Sequence, residues 1–360
     1  MEQVDLFEMI SGPTEQAILK ALKSDNLSKE KIKEFTESLI NDGSRKLASG
    51  LKKTAPEMLA KEREFINGFV ERCYARWKAP IDLLRIIRTA SQEIAECHAH
   101  KGPEGIDPIT FVALAHLQPK ALLITNEILW LLEGGYADAA LARWRTLHEV
   151  VVTAMFIAKH GADTARDYRY SEVFTNRRAA GNLNVHSQRA RIERFSDAEL
   201  EAMDRECEAA EAAIGRKLKG EFDWAGPALK SKSSQVRFAQ IETDVGMDHW
   251  RPRYKWACQH SHAGFSGPQK LLGMSEAKQF MFQVGPSNSG FVDPLHMTAI
   301  SLHQMTSTFL LSGTPDLGRV VYVTVIGHLV DELGPLSVNV EKVTREKAAN
   351  QREVNSFSPS

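Results

Sequence analysis

The stretch from Tyr136 to His160 constrains this chain more than any other. Its residues, YADAALARWRTLHEVVVTAMFIAKH, place Leu141, Trp144, Leu147, Val150, Val151, Val152, Met155, Phe156 and Ile157 on nearly every side of a helix. A helix that is apolar all round belongs in a protein core or in a membrane. Arg145, His148 and Glu149 nevertheless sit in its middle. Spacings of three and four put them on one face. Charges set in an apolar helix are costly unless partnered, so this face is either a structural ion-pair site or a functional one. Arg145 and Glu149 are one turn apart and can pair within the helix, which makes the structural reading the preferred one.

The helix needs a core around it, and 360 residues suffice to build one. No apolar run is long enough to span a membrane, because Asn126 and Glu127 interrupt the best candidate, Ala121 to Leu132. The first residues, MEQVDLFEMISGP, lack the basic start and apolar centre of a signal peptide. A formal net charge of −1 provides no global field for nucleic acid or acidic membranes. Cys73, Cys97, Cys207 and Cys258 are scattered and form no CxxC, which suits a reducing compartment. The expectation is a soluble cytoplasmic protein with no membrane partner and no cofactor.

Helix signals recur along the chain. Asp107-Pro108 reads as an N-cap with proline at the first helical position, and Gly134-Gly135 ends the helix that follows. Gly161 ends the Tyr136 helix, and Asp163 is placed to cap the next. Ser196-Asp197-Ala198-Glu199 is a capping box. Asp293-Pro294 opens a helix that closes at Gly313, and Thr314-Pro315 opens a last one that closes at Gly334-Pro335. Within it, VVYVTVIGHLV is rich in β-branched residues, but its length and flanking caps favour a buried helix over a strand. Residues 14 to 100 are more polar and also helical, with Phe65, Phe69, Tyr74, Trp77 and Ile81 at helical spacings. The fold class is therefore all-α: a helical N-terminal extension (1–105), a multi-helix bundle core (106–340) and a polar disordered tail (341–360).

Three further segments bear on chemistry. WRPRYKWACQHSHAG, from Trp250 to Gly264, reads as a short helix, so His260 and His262 point apart and cannot chelate a metal together. Tyr254, Cys258, Ser261 and His262 would share one face of it. The helix after Asp163 carries Arg166, Arg169 and Arg177 on one stripe with Tyr170 beside it. This is either a phosphate track or a solvated face paired with Asp167, Glu172 and Glu193, and the second reading is preferred. Arg143-x4-His148 and Arg253-x6-His260 fit a spacing used by one class of helical ribonucleases. Two matches are what chance gives among 12 histidines, so the pattern carries no weight. No Walker-type loop, GxGxxG, GxSxG or HExxH is present.

The ordered set of segments resembles Domain of Unknown Function 5677, a bacterial family of helical proteins. The resemblance rests on Gly135-Tyr136 with the run ALARWRTLHEVVVTAMFIAKHG, on Ala165-Arg166-Asp167-Tyr168, and on Tyr254 to His262. Arg145, Leu147 and Glu149 match the first pattern. Cys258 and His262 match the third, where the family more often has serine at the cysteine position. Trp77 and the helix Pro294 to Leu311 also resemble it, so that the resemblance spans most of residues 65 to 335. It implies an all-helical fold and no established activity, and it singles out Arg145, Glu149 and His262.

Two functional readings follow. In the first, the chain is an interaction or effector module and a buried Arg145–Glu149–His262 cluster is structural. In the second, it is a metal-independent nuclease-like hydrolase: His262 is the acid/base, Arg145 stabilises phosphate, and Glu149 orients one of them. Tyr168, Tyr254 and His148 are the candidate ligand-binding residues. A homo-oligomer, and RNA or another phosphate ligand, are the partners considered.

Overall fold

The computed structural model describes residues 29–231, 235–262, 267–314 and 316–356. The reading of residues 1–13, the helical reading of 14–28, and the helix ends placed at Gly264 and Pro315 lie outside the described residues. The chain is all-α, with no strand among the described residues. In chain order the helices are α1 (Lys29–Lys101), α2 (Pro108–Glu133), α3 (Ala137–His160), α4 (Ala162–Ala190), α5 (Asp197–Ile214), α6 (Phe238–Asp244), α7 (Arg251–Gln259), α8 (Val292–Leu311) and α9 (Leu317–Ser356). None among the described residues is long and apolar enough to cross a membrane.

Two compact units divide the chain between Glu71 and Arg72. In the first, α1 is a polar helix that leaves Ile40, Met58 and Phe65 exposed. Exposed i,i+4 pairs such as Glu57–Lys61, at 2.9 Å, line it. Such exposed, solvent-screened pairs contribute little to stability.

The second unit is a bundle built around α3. That helix packs on α2 and α8, and on the shorter α7 and α6. Trp144, Leu147, Val151, Phe156 and Ile157 are buried on it, as its all-round apolar pattern requires. Trp144 donates its indole N–H to the Met297 carbonyl and the Ser301 hydroxyl, at 3.1 and 3.0 Å, which joins α3 to α8. Residues 72–101 of α1 also belong to this core. Trp77 is fully buried, stacks on Phe291 at 5.0 Å, and donates to the Asn288 carbonyl at 2.7 Å. Ile81, Leu84 and Ile87 continue its buried stripe. Each such side chain contributes about 1.5–3 kcal/mol of burial.

Most helix boundaries fall where the local signals place them. The Asp107 carboxylate accepts from the N–H groups of Ile109 and Thr110, and Ser196 with Glu199 forms the reciprocal capping box. Gly135 takes a positive φ of 84° just past α2 and turns the chain into α3. VVYVTVIGHLV is helical, but it is not the buried helix expected: Val320, Val321, Tyr322 and Val325 are exposed, and of its apolar residues only Ile326 and Val330 are buried.

Three boundaries differ. Asp163 does not cap α4; it lies in the first turn and pairs with Arg166 at 2.9 Å. Gly334-Pro335 does not end α9, which runs on to Ser356. Gly334 is buried in helical backbone against His296 of α8, and a Cβ there would come within 2.8 Å of the imidazole. The glycine permits close helix packing instead of a stop. Past residue 341, where the sequence reads as a disordered tail, the helix carries the i,i+4 pairs Glu341–Arg345 and Lys342–Glu346.

Candidate functional site

The polar face of α3 is met by α6 and α7. The local sequence explains both. FAQIETD in α6 buries Phe238, Ile241 and Glu242, which are spaced i, i+3, i+4. Pro252, at the start of α7, suits a first helical turn, and α7 buries Tyr254 and Ala257. Tyr254 and Cys258 are one turn apart and both face α3.

His148 is fully buried. Its Nε2–H donates to Glu242 Oε1 at 2.9 Å, and the two side chains are 1% and 0% exposed. Nδ1 has no protein partner. Arg251 reaches the other oxygen of Glu242, with Nη2 2.7 Å from Oε2. Its guanidinium lies 5.3 Å from the Tyr254 ring centre and 5.8 Å from that of Phe238. A buried carboxylate between a histidine and an arginine is stable only as part of such a set.

Arg145, one turn before His148, and Glu149, directly after it, pair at 2.8 Å, as their spacing predicts, and are 30% and 26% exposed. The Tyr254 hydroxyl donates to the same Glu149 oxygen at 2.5 Å. Arg145 Nε donates to Cys258 Sγ at 3.1 Å, and its guanidinium lies 5.1 Å from the Tyr254 ring centre. Burial, and then the Glu149 carboxylate, push the Tyr254 hydroxyl above the ordinary tyrosine range, so it remains a donor. Burial works against the Arg145 charge, but Glu149, Tyr254 and Cys258 outweigh it and hold the guanidinium above its ordinary value.

The residues singled out by sequence thus separate into groups. Arg145, Glu149 and Tyr254 come together, with Cys258 beside them. His148, adjacent to Glu149 in sequence, belongs to a second set with Glu242 and Arg251. His262 is not in either. α7 ends at Gln259, where the His260 N–H bonds back to Ala257 and the Ser261 N–H to Cys258, three residues each. That tightening takes Ser261 and His262 off the face they were expected to share with Tyr254, and both are exposed. The histidine in a buried Glu–His contact is therefore His148, with Glu242, and not His262 with Glu149. Tyr168 stands apart on α4, edge-on to Trp224 with ring centres 5.1 Å apart.

Arg143 pairs with Glu127, Arg253 with Asp293 and His260 with Asp138, so neither ribonuclease-like spacing assembles a free Arg–His pair. No cluster of three or more His, Cys, Asp or Glu suited to a metal occurs among the described residues. Sequence reasoning missed Glu242 and Arg251. A signal for Glu242 was present: an acid on the apolar face of α6, the same argument that exposed Arg145.

Residues 111–280 match the model of a family of unknown function (DUF5677). All three segments that carried the resemblance lie inside this span, whereas Trp77 and Pro294–Leu311 lie outside it. No curated protein and no solved structure matches the chain.

Proposed function

We propose that this DUF5677-like core is a binding module, and that the polar face of α3 holds it together without performing chemistry. The observation that supports this most is the His148–Glu242 contact, closed at 2.9 Å with both side chains buried. A general acid or base must reach the proton it moves. His148 has no such access. Arg145 is engaged by Glu149 and Cys258, and Glu149 accepts from both Arg145 and Tyr254. A phosphate approaching Arg145 would have to displace a carboxylate already in place. Inverting the role of this face needs Arg145 to leave its partners and His262 to approach from beyond the helix end. In this reading the protein acts in the bacterial cytoplasm as an interaction or effector module.

The nuclease reading keeps one feature in its favour: His262 is exposed and accessible to a substrate. Incubating the pure protein with mixed RNA and DNA, beside His262→Ala, separates the two. The module reading expects no turnover in either preparation. Cleavage by the wild type that His262→Ala abolishes would overturn it.

A further inference from the structure

The arginine stripe of α4 is not explained by the polar face of α3, and it borders a groove of about 720 Å³ between α4 and α2. Binding sites for small ligands have volumes of about 300–1,000 Å³. Helical spacing brings two stripes to this groove. On α2, His116 and Lys120 are one turn apart. On α4, Arg166, Arg169 and Tyr170 are spaced i, i+3, i+4, with Tyr168 beside them. The two helices pack on each other, so the stripes face a common space.

The charges along this groove are unequally used. Arg166 is held by Asp163 at 2.9 Å and lies 3.9 Å from Asp167, which Arg216 grips at 2.7 Å. Arg166 is therefore a fixed wall. Arg177, further along the stripe, is taken by a bidentate contact to Asp204. Lys120 and Arg169 have no carboxylate within ion-pair distance among the described residues, and both are exposed. Glu172 is the one acid lining the groove. His116 donates Nδ1–H to the Val112 carbonyl at 2.8 Å, which leaves Nε2 for a ligand. Tyr170, on the stripe of Arg166 and Arg169, is the aromatic ring that accompanies these cations along the groove. Tyr168 is braced against Trp224, and Tyr170 is half-buried.

We infer that the α2–α4 groove binds a nucleoside phosphate, with Lys120 and Arg169 on the phosphate and the base against Tyr170. Two cations without an acidic partner beside a tyrosine ring fit an anion joined to a flat aromatic group better than they fit either part alone. Charge-assisted contacts supply the phosphate half and ring stacking the other. This inference does not rest on the role assigned to the α3 face. A mononucleotide and a single-stranded RNA present the same chemistry, so both are tested.

Calorimetric titration with AMP, adenosine, inorganic phosphate and a short single-stranded RNA provides the test, using the full chain. AMP is expected to bind with Kd below about 1 mM. Adenosine and phosphate should each bind about tenfold more weakly or worse, because each supplies half of the contacts. Lys120→Ala with Arg169→Ala should weaken AMP by about tenfold or more, while the melting temperature is unchanged. Tyr170→Leu should weaken AMP and leave inorganic phosphate unaffected. RNA that binds more tightly than AMP, and loses that binding in the same variants, identifies the polymer as the source of the nucleotide and supports the site. Absence of binding by both AMP and RNA at millimolar concentration overturns the inference. So does binding that the double variant leaves intact, or phosphate binding as tightly as AMP, which would make the groove a bare anion site.

Discussion

The α3 face and the α2–α4 groove use the same residue types to opposite ends. At the first, histidine, arginine, glutamate and tyrosine are close to one another, and each side chain has a protein partner. At the second, arginine, lysine, histidine and tyrosine border open space, and two of the cations have no acidic partner among the described residues. A charged residue on a helix says little by itself about function. What separates a structural network from a binding surface is whether the protein gives each charge a partner or leaves that to a ligand.

The comparison breaks most visibly at His148. Replacing it with Leu leaves Glu242 buried with only Arg251, and should cost about 3–5 kcal/mol in chemical denaturation. A loss below 1 kcal/mol would mean that the buried contact is not what holds α6 against α3.

Arg145→Met should cost less, about 1–3 kcal/mol, because Glu149 keeps some access to water and retains the Tyr254 hydroxyl. Replacing both, as Arg145→Met with Glu149→Leu, should cost less than the sum of the single losses, since no orphan charge remains. Additive losses in the double-mutant cycle would show that the pair does not interact.

Two other histidines, His98 and His296, sharpen the contrast, since burial outweighs the acids near them and neither has an ion-pair partner among the described residues. His98 lies between Phe111 and Phe309, and Arg319 is 3.4 Å away. Burial, and then the Arg319 charge, hold His98 below its ordinary pKa, and burial does the same to His296. The unfolded chain then takes up protons that the folded one refuses. Stability should fall as pH drops through the ordinary histidine value of 6.5. His98→Phe keeps an aromatic ring and should reduce that acid-side loss in melts between neutral and mildly acidic pH. A wild type equally stable across this range would remove the argument.

The smallest effect on stability belongs to the groove. Lys120→Ala with Arg169→Ala should shift unfolding by no more than about 0.5 kcal/mol, because exposed side chains without partners contribute little. A large destabilisation would show that these cations, too, are structural.

Much of this was legible in local sequence. Asp107-Pro108, the Ser196–Glu199 box and Gly161 mark their helix ends because caps act within a few residues. The Arg145–Glu149 pair was legible for the same reason. Gly334-Pro335 misled because the same dipeptide suits a helix end and a close helix crossing, and only the presence of His296 distinguishes them. His262 misled because the length of a short helix depends on how its last turn closes, which a one-residue difference changes.

The sequence alone determined that the chain is helical, that Tyr136–His160 lies in a core, and that its polar face needs partners. Those conclusions follow from periodicity and from the cost of unpaired charge, which operate within one or two helical turns. Only the tertiary structure decided who the partners are. Glu242 is 94 residues from His148, and no local rule links them. It decided also that His148 is sealed while Lys120 and Arg169 are open, because exposure is set by which helices pack across each face, and that depends on the whole bundle at once.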